Sequence, residues 1–258
     1  MRARFVALLS ASALALSCAT TRGDGTEPDY ASDAEQNLKL GDEALANKNY
    51  FEAEKYFEHV KTKYPFQEAS REAELRLADA QLAREKYTEA RESYLSFIKL
   101  HPTHPKVDYA AYHAALTYYR DIPSDFFILP PSYEKDQGDV RGALRSMNDF
   151  IRQYPKSSWV EEARTVVADA RKRLARYELY VGEFYLKRGK WPGAAHRFER
   201  VVAEYAGLGF DEQALFGIHE AYGHLGETEK AQRALERIIE LDPGGTGAAK
   251  AKKLLGKT

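Results

Sequence analysis

The feature that most constrains the fold is a pattern that recurs five times along the chain. An alanine is followed four residues later by an aromatic or large apolar residue, three residues after that by another, and then by proline. Residues spaced four and three apart share one face of an α-helix, and proline ends a helix because it has no N–H to donate. The copies are Ala53-Phe57-Val60-Pro65, Ala90-Tyr94-Phe97-Pro102, Ala143-Met147-Phe150-Pro155, Ala194-Phe198-Val201-Ala206 and Ala231-Leu235-Ile238-Pro243. Where the fourth copy lacks proline, Gly207 can end the helix.

A partner helix precedes four of these alanines. Twelve residues upstream of them lie Gly41, Ala78, Gly182 and His219. The small residues allow two helices to approach closely, whereas His219 predicts a looser last hairpin. This pairing resembles the tetratricopeptide repeat, so we predict an all-α solenoid of five tetratricopeptide-like helical hairpins. An ordinary amphipathic bundle is the alternative, which five phased copies disfavour.

The spacing of the alanines, 37, 53, 51 and 37 residues, divides the array. We predict an insertion over 121–138, between repeats two and three, because this stretch contains three prolines. A continuous apolar face predicts one long connecting helix over 157–187, which is also helix A of repeat four. The predicted parts are repeats 1–3 over 34–156, the rest of repeats four and five over 188–244, and a C-terminal tail over 245–258.

The first 17 residues have the layout of a secretory signal peptide, with Arg2 and Arg4 before an apolar run that is too short to span a membrane. Cys18, the only cysteine, follows Ala15-Leu16-Ser17, which resembles a bacterial lipobox. We therefore predict that Cys18 carries a diacylglycerol and an N-acyl chain; ordinary cleavage at the same bond is the alternative. Residues 18–33 are predicted to be a flexible tether.

The sequence offers little for catalysis or for nucleic acid. Its 38 Lys+Arg nearly balance 39 Asp+Glu, so no net charge draws it to nucleic acid. His219 and His224 are five residues apart and cannot share one metal on a helix. His101, His104 and Asp108 fit a two-proline turn better than a metal site. We expect no enzyme, no catalytic residue, no metal and no cofactor besides the lipid.

Several blocks resemble the BamD (ComL) family of outer-membrane lipoproteins of the β-barrel assembly machinery. They are Lys63-Tyr64-Pro65-Phe66, KLHPTHPKVDYAAYHAAL over 99–116, Phe126-Phe127, and RLARYELYVGEFYLKRGKWPGAAHRFERVVAEY over 173–205. The resemblance spans about residues 34–243. It implies an outer-membrane location on the periplasmic face. Ala19 agrees with this location, because it is not the Asp that often retains lipoproteins in the inner membrane.

The resemblance also implies partners: BamA, other Bam lipoproteins and unfolded outer-membrane proteins. The N-terminal repeats would receive targeting strands, and the C-terminal repeats would dock BamA. Candidate strand-binding residues are Tyr64, Phe66, His104, Asp108, Tyr109 and Tyr112. Candidate BamA-binding residues are Arg197 and Arg200.

Each candidate has a plainer interpretation. The aromatic residues can pack between helices, His104 and Asp108 can cap the next helix, and the two arginines can form a solvated face. A periplasmic repeat scaffold of the Tol–Pal or cell-wall synthesis type is the alternative function.

Overall fold

A computed structural model describes residues 27–123 and 134–256, and the regular elements in this part of the chain are eleven α-helices. The helices are α1 (Ala34–Ala46), α2 (Tyr50–Lys63), α3 (Glu68–Ala83), α4 (Tyr87–Leu100), α5 (Val107–Asp121), α6 (Gly138–Gln153), α7 (Val160–Lys187), α8 (Trp191–Glu204), α9 (Asp211–His224), α10 (Thr228–Leu241) and α11 (Thr246–Leu255). Each packs mainly against its neighbours in the chain, and the first ten form five successive hairpins. The prediction of an all-α solenoid is confirmed. The predicted signal peptide, Cys18 and the first part of the tether lie outside the described residues.

The recurring alanines are the points of closest helix approach. Ala53, Ala90, Ala143 and Ala194 are fully buried, and Ala231 is nearly so. The small partner residues accept large side chains from the neighbouring helix. A Cβ added at Gly41 would lie 2.5 Å from the Phe57 ring. The spacing of apolar positions thus becomes a series of cores along the described chain, each shared by two or more neighbouring helices.

One aromatic ring links the last two hairpins. Phe198 of α8 lies against Gly182 of α7 and against Gly217 of α9, and added Cβ atoms there would be 2.7 Å and 2.5 Å from the ring. Glycine is therefore required on both sides for steric reasons, although each glycine weakens its helix. The two contacts fix α8 between the hairpin that it closes and the one that follows.

The insertion has a different position relative to the hairpins from the one we predicted. It separates α5 from α6 and is therefore inside the third hairpin, not between repeats two and three. The reason is that the proline-free run after Pro105 forms helix A of repeat three. The predicted ends, Asp121 and Gly138, belong to the flanking helices, and residues 124–133 are outside the described chain.

Helix α7 has 28 residues and is about 42 Å long at 1.5 Å per residue. Its first half packs beside the third hairpin, where Val160, Ala163 and Val166 share a core with Met147. Its second half pairs with α8. One helix therefore serves both halves of the array.

Two segments that we assigned as irregular are partly ordered. The predicted tail over 245–258 contains α11, which buries Ala248 and Ala251 because its apolar residues recur at helical spacing. At the other end, residues 27–33 of the predicted tether are held by the buried side chain of Asn37. Its amide donates to the carbonyls of Ala31 and Asp33 at 2.8 and 2.7 Å, and its Oδ1 accepts from the Ala31 N–H at 2.9 Å.

Among the described helices, none has both the length and the apolar character that crossing a bilayer requires.

Two glycines of α9 allow a matched test of the packing. Gly217→Ala forces a methyl group into the Phe198 ring and should lower the free energy of unfolding by about 1–3 kcal/mol. A Cβ at Gly223 meets nothing within 4 Å, so Gly223→Ala should stabilise by about 0.4–1 kcal/mol through the unfolded state. Urea unfolding followed by circular dichroism measures both. Equal effects of the two substitutions would contradict the account.

Candidate functional site

Three turns form one edge of the array, which we name the turn edge. They are residues 64–67 between α2 and α3, 101–106 between α4 and α5, and 154–159 between α6 and α7. Each turn begins with an aromatic or imidazole side chain that directly precedes proline, at Tyr64, His101 and Tyr154. The backbone N–H of each of these residues donates the last hydrogen bond of the preceding helix. Four of the six predicted strand-binding residues lie on or beside this edge, and the fold therefore brings them together.

The first turn carries the most exposed aromatic residue of the described chain. Phe66 is 97% exposed. The neighbouring Tyr64 is half-buried, and its hydroxyl donates to the Ser32 carbonyl at 3.0 Å. Tyr30 stacks on His59 beside it, with ring centroids 3.8 Å apart. The segment that leads back toward Cys18 therefore arrives at the same edge as Phe66.

His104 and Asp108 line a cleft of about 490 Å³ between the second and third turns. The Nδ1 atom of His104 accepts from the Lys106 N–H at 3.2 Å, and burial lowers the pKa of the imidazole. Asp108 accepts from the Ser157 hydroxyl at 2.7 Å and from the Tyr109 N–H at 2.9 Å. Both side chains therefore already hold the turns in place, while one side of each borders the cleft.

Tyr109 and Tyr112 are packed to different degrees. Tyr112 is buried and stacks on Trp159, with centroids 4.9 Å apart. The Tyr109 hydroxyl donates to Asp79 at 2.8 Å, and burial followed by the Asp79 charge raises its pKa above the usual range. Tyr94 donates to the same Asp79 oxygen at 2.6 Å. Tyr112 thus matches the packing alternative, whereas Tyr109 borders open space.

That space is a groove of about 400 Å³ between α3, α4 and α5. Its walls include Asp79, Tyr109, His113 and Arg120. The His113 ring lies 4.0 Å from Tyr109 and 5.2 Å from Trp159 between centroids. We did not single out Asp79, His113 or Arg120 from the sequence. The spacing of 109, 113, 116 and 120 along one helix face could have identified the α5 wall.

Arg197 and Arg200 meet a carboxylate of their own chain. Glu178 on α7 is 1% exposed, and Arg197 Nη1 and Arg200 Nη1 donate to its two oxygens at 2.9 and 2.8 Å. Arg200 also donates to Glu204 at 3.0 and 2.9 Å. The bond to Glu178 raises the pKa of Arg197, and the bonds to Glu204 raise that of Arg200. Both guanidinium groups are therefore held in place, and the two side chains remain 26% and 31% exposed.

Within the described residues, no group of three or more His, Cys, Asp or Glu side chains is arranged to hold a metal ion.

A family model described as "YfiO: Outer membrane lipoprotein" matches residues 30–238, from just before α1 to within α10. The chain belongs to the YfiO family. This YfiO-family chain is 31% identical over 193 residues to the outer membrane protein assembly factor BamD of Caulobacter vibrioides, and covers 61% of that protein's length with 75% of its own. It is 26% identical to the protein of the same name from Vibrio cholerae, over 86% of this chain and 93% of that one.

Among solved structures, the YfiO-family chain is similar to the TPR2AB domain of yeast Sti1. The TM-score is 0.43 and the identity is 13%, with 87% of this chain and 84% of that one covered.

The partly buried His113 should make stability depend on pH. Burial lowers its pKa below the ordinary value of about 6.5, so the unfolded chain binds the proton more readily than the folded one. The contribution of His113 to stability should therefore be complete well above that value and be lost progressively as the pH falls through it. His113→Asn should flatten this slope in urea titrations at several pH values, whereas His196→Asn, at an exposed position of α8, should not. Parallel slopes for the wild type and the His113 variant would contradict the assignment.

Proposed function

We propose that the protein is a non-enzymatic scaffold lipoprotein of the outer-membrane β-barrel assembly complex, anchored through lipid on Cys18 at the periplasmic face. The match to the family model over residues 30–238 carries this proposal, because it extends from the first hairpin into the last helix of the fifth and does not rest on one motif. Relatives named assembly factor BamD match most of the chain. Arrays of helical hairpins present long surfaces that bind other proteins.

The turn edge and the adjoining groove are proposed to bind the targeting strand of an unfolded outer-membrane protein. The fully exposed Phe66 ring would contact an apolar or aromatic side chain of the strand, with Tyr64 beside it. The cleft at His104 and Asp108 offers polar contacts along the same edge. An extended segment suits such a site because its side chains alternate and its backbone seeks hydrogen-bond partners.

Tyr109 and Tyr112 are proposed to act differently in this site. Tyr109 borders the groove and can contact the strand. Tyr112 is buried against Trp159 and would act by holding that ring, which in turn packs on Tyr109. The groove would then be preformed, which lowers the entropic cost of binding.

Removing the Phe66 ring should weaken strand binding. For a labelled peptide of about ten residues that ends in Phe, we expect Phe66→Ala to raise Kd about tenfold, or roughly 1.4 kcal/mol, in fluorescence anisotropy. Leu241→Ala, which removes another exposed apolar side chain far along the chain, should leave Kd unchanged. For a peptide that ends in Ala, the wild type and Phe66→Ala should have similar Kd values. Unchanged binding by the Phe66 variant would remove this residue from the site.

Arg197 and Arg200 are proposed to bind acidic groups of BamA. A guanidinium has five N–H donors in a fixed plane, so the bonds to Glu178 leave donors for a partner. The buried Glu178 also fixes the two groups in advance. Pre-positioned arginines lose little conformational entropy when a second carboxylate binds.

Charge reversal at Arg197 tests this interface. We expect Arg197→Glu to reduce co-purified BamA by about tenfold or more, since truncating a buried interfacial charge pair costs 2–5 kcal/mol. The new carboxylate would also repel the carboxylate of Glu178, so circular dichroism must show that the array remains folded. Arg152→Glu, on an exposed arginine paired within α6, is the matched control and should retain BamA. Full recovery of BamA with a folded Arg197→Glu protein would exclude Arg197 from the interface.

A further inference from the structure

A second groove lies between α8, α9 and α10, in the part of the array farthest from the turn edge along the chain. It encloses about 580 Å³. Each helix contributes one face. The residues from α8, including Val202 and Ala203, recur at helical spacing, as do Ile218 and Tyr222 of α9. These side chains give the groove an apolar floor and wall.

One rim of this groove is cationic. Lys230, Arg233 and Arg237 project from a single face of α10, and the opposite rim carries only Glu199. The Tyr222 hydroxyl already donates to that Glu199 at 2.6 Å. The groove lining therefore combines apolar surface with an excess of positive charge.

The cations of the rim are weakly engaged. Lys230 and Arg233 pair with Glu227 and Glu229 at 2.7 and 3.2 Å, and both acids lie outside the groove lining. All four side chains are about half exposed or more, and pairs of this kind contribute little. Within the described chain, Arg237 has no ion-pair partner. A carboxylate that approaches the groove would therefore meet donors that are free or cheaply released.

We propose that this groove docks a short, extended, acidic segment of a partner protein, with apolar side chains between its carboxylates. Arg233 and Arg237 are one helical turn apart, a rise of about 6 Å. Alternate residues of an extended strand are about 6.6 Å apart, so two carboxylates in positions i and i+2 match the two guanidinium groups. Side chains from the other face of the strand would then enter the apolar floor.

The groove is separate from the proposed BamA contact. On α8 the groove residues 199, 202 and 203 are centred about 140° around the helix from Arg197 and Arg200 at 100° per residue. Both faces of α8 can be occupied at once. The inference neither requires nor excludes the proposed function, because it rests on the charge and shape of the groove alone.

The probe is a fluorescein-labelled peptide of alternating Glu and Leu, compared with a twin in which Lys replaces Glu. We expect the full mature chain to bind the acidic peptide about tenfold or more tightly than the twin, and more weakly as salt rises from about 50 to 500 mM. Arg233→Glu combined with Arg237→Glu should raise Kd for the acidic peptide about tenfold or more. Ala203→Phe, which fills the floor without changing charge, should also weaken binding.

A charge-matched control separates the groove from net charge. Arg152→Glu combined with Arg164→Glu reverses two exposed arginines, each paired with an acid on its own helix, and should leave Kd within about twofold. An equal loss in this control, equal binding of the two peptides, or full binding by the Arg233/Arg237 variant would overturn the proposal. Binding of phosphatidylglycerol vesicles through Arg233 and Arg237, without binding of the acidic peptide, would overturn it in favour of a lipid surface.

Discussion

The array depends on large side chains that rest against positions with almost no side chain on the neighbouring helix. Phe57 against Gly41 is the first such contact, and Phe198 between Gly182 and Gly217 is the most demanding. Because protein interiors are close-packed, such a contact fixes both the distance and the stagger of two helices. Repeated stagger is what aligns the turns that begin at Tyr64, His101 and Tyr154 into one edge.

The helical hairpins and their packing are predicted well from the sequence, because they depend on the spacing of residues that are close together in the chain. The period of the recurring alanines, the prolines that end the helices and the small partner residues all act within about a dozen residues. Among the small partner positions His219 was the one exception, and we expected a looser hairpin there. Its Nδ1 lies 3.2 Å from the carbonyl oxygen of Ala231, the residue it was paired with. A hydrogen bond therefore replaces the close contact that a smaller residue would allow.

The polar interactions that build the candidate sites could not be predicted in the same way. Glu178 stands among charged and polar residues of a long helix, and charge on a helix usually faces solvent. Its burial depends on two arginines that are 19 and 22 residues away. Asp79 is partly buried and accepts hydrogen bonds from Tyr94 and Tyr109, which come from two other helices. Neither partner set follows from periodicity, because the first requires the relative position of two helices and the second that of three.

The insertion and α11 show where periodicity was misapplied rather than insufficient. Three prolines correctly indicated a break in the helices, but the break was placed between repeats because only B helices carry the recurring alanine. The run 107–121 has its own helical spacing, which places the break within one hairpin. In α11, Ala248, Ala251 and Leu255 follow the same spacing, but their small size and the adjacent glycines concealed it.

The two faces of α8 show how one helix can serve several purposes. One side buries Phe198 against two glycines and cannot change without disturbing both neighbouring helices. Arg197 and Arg200 are joined to α7 through Glu178, so a ligand at these guanidinium groups would act on the long helix that connects both halves of the array. The groove toward α10 is lined by a different set of side chains and makes no use of Glu178. A partner there would reach α7 through the core that Phe198 shares with Leu179, and through the contact of α9 with α7 between Gln213 and Glu183.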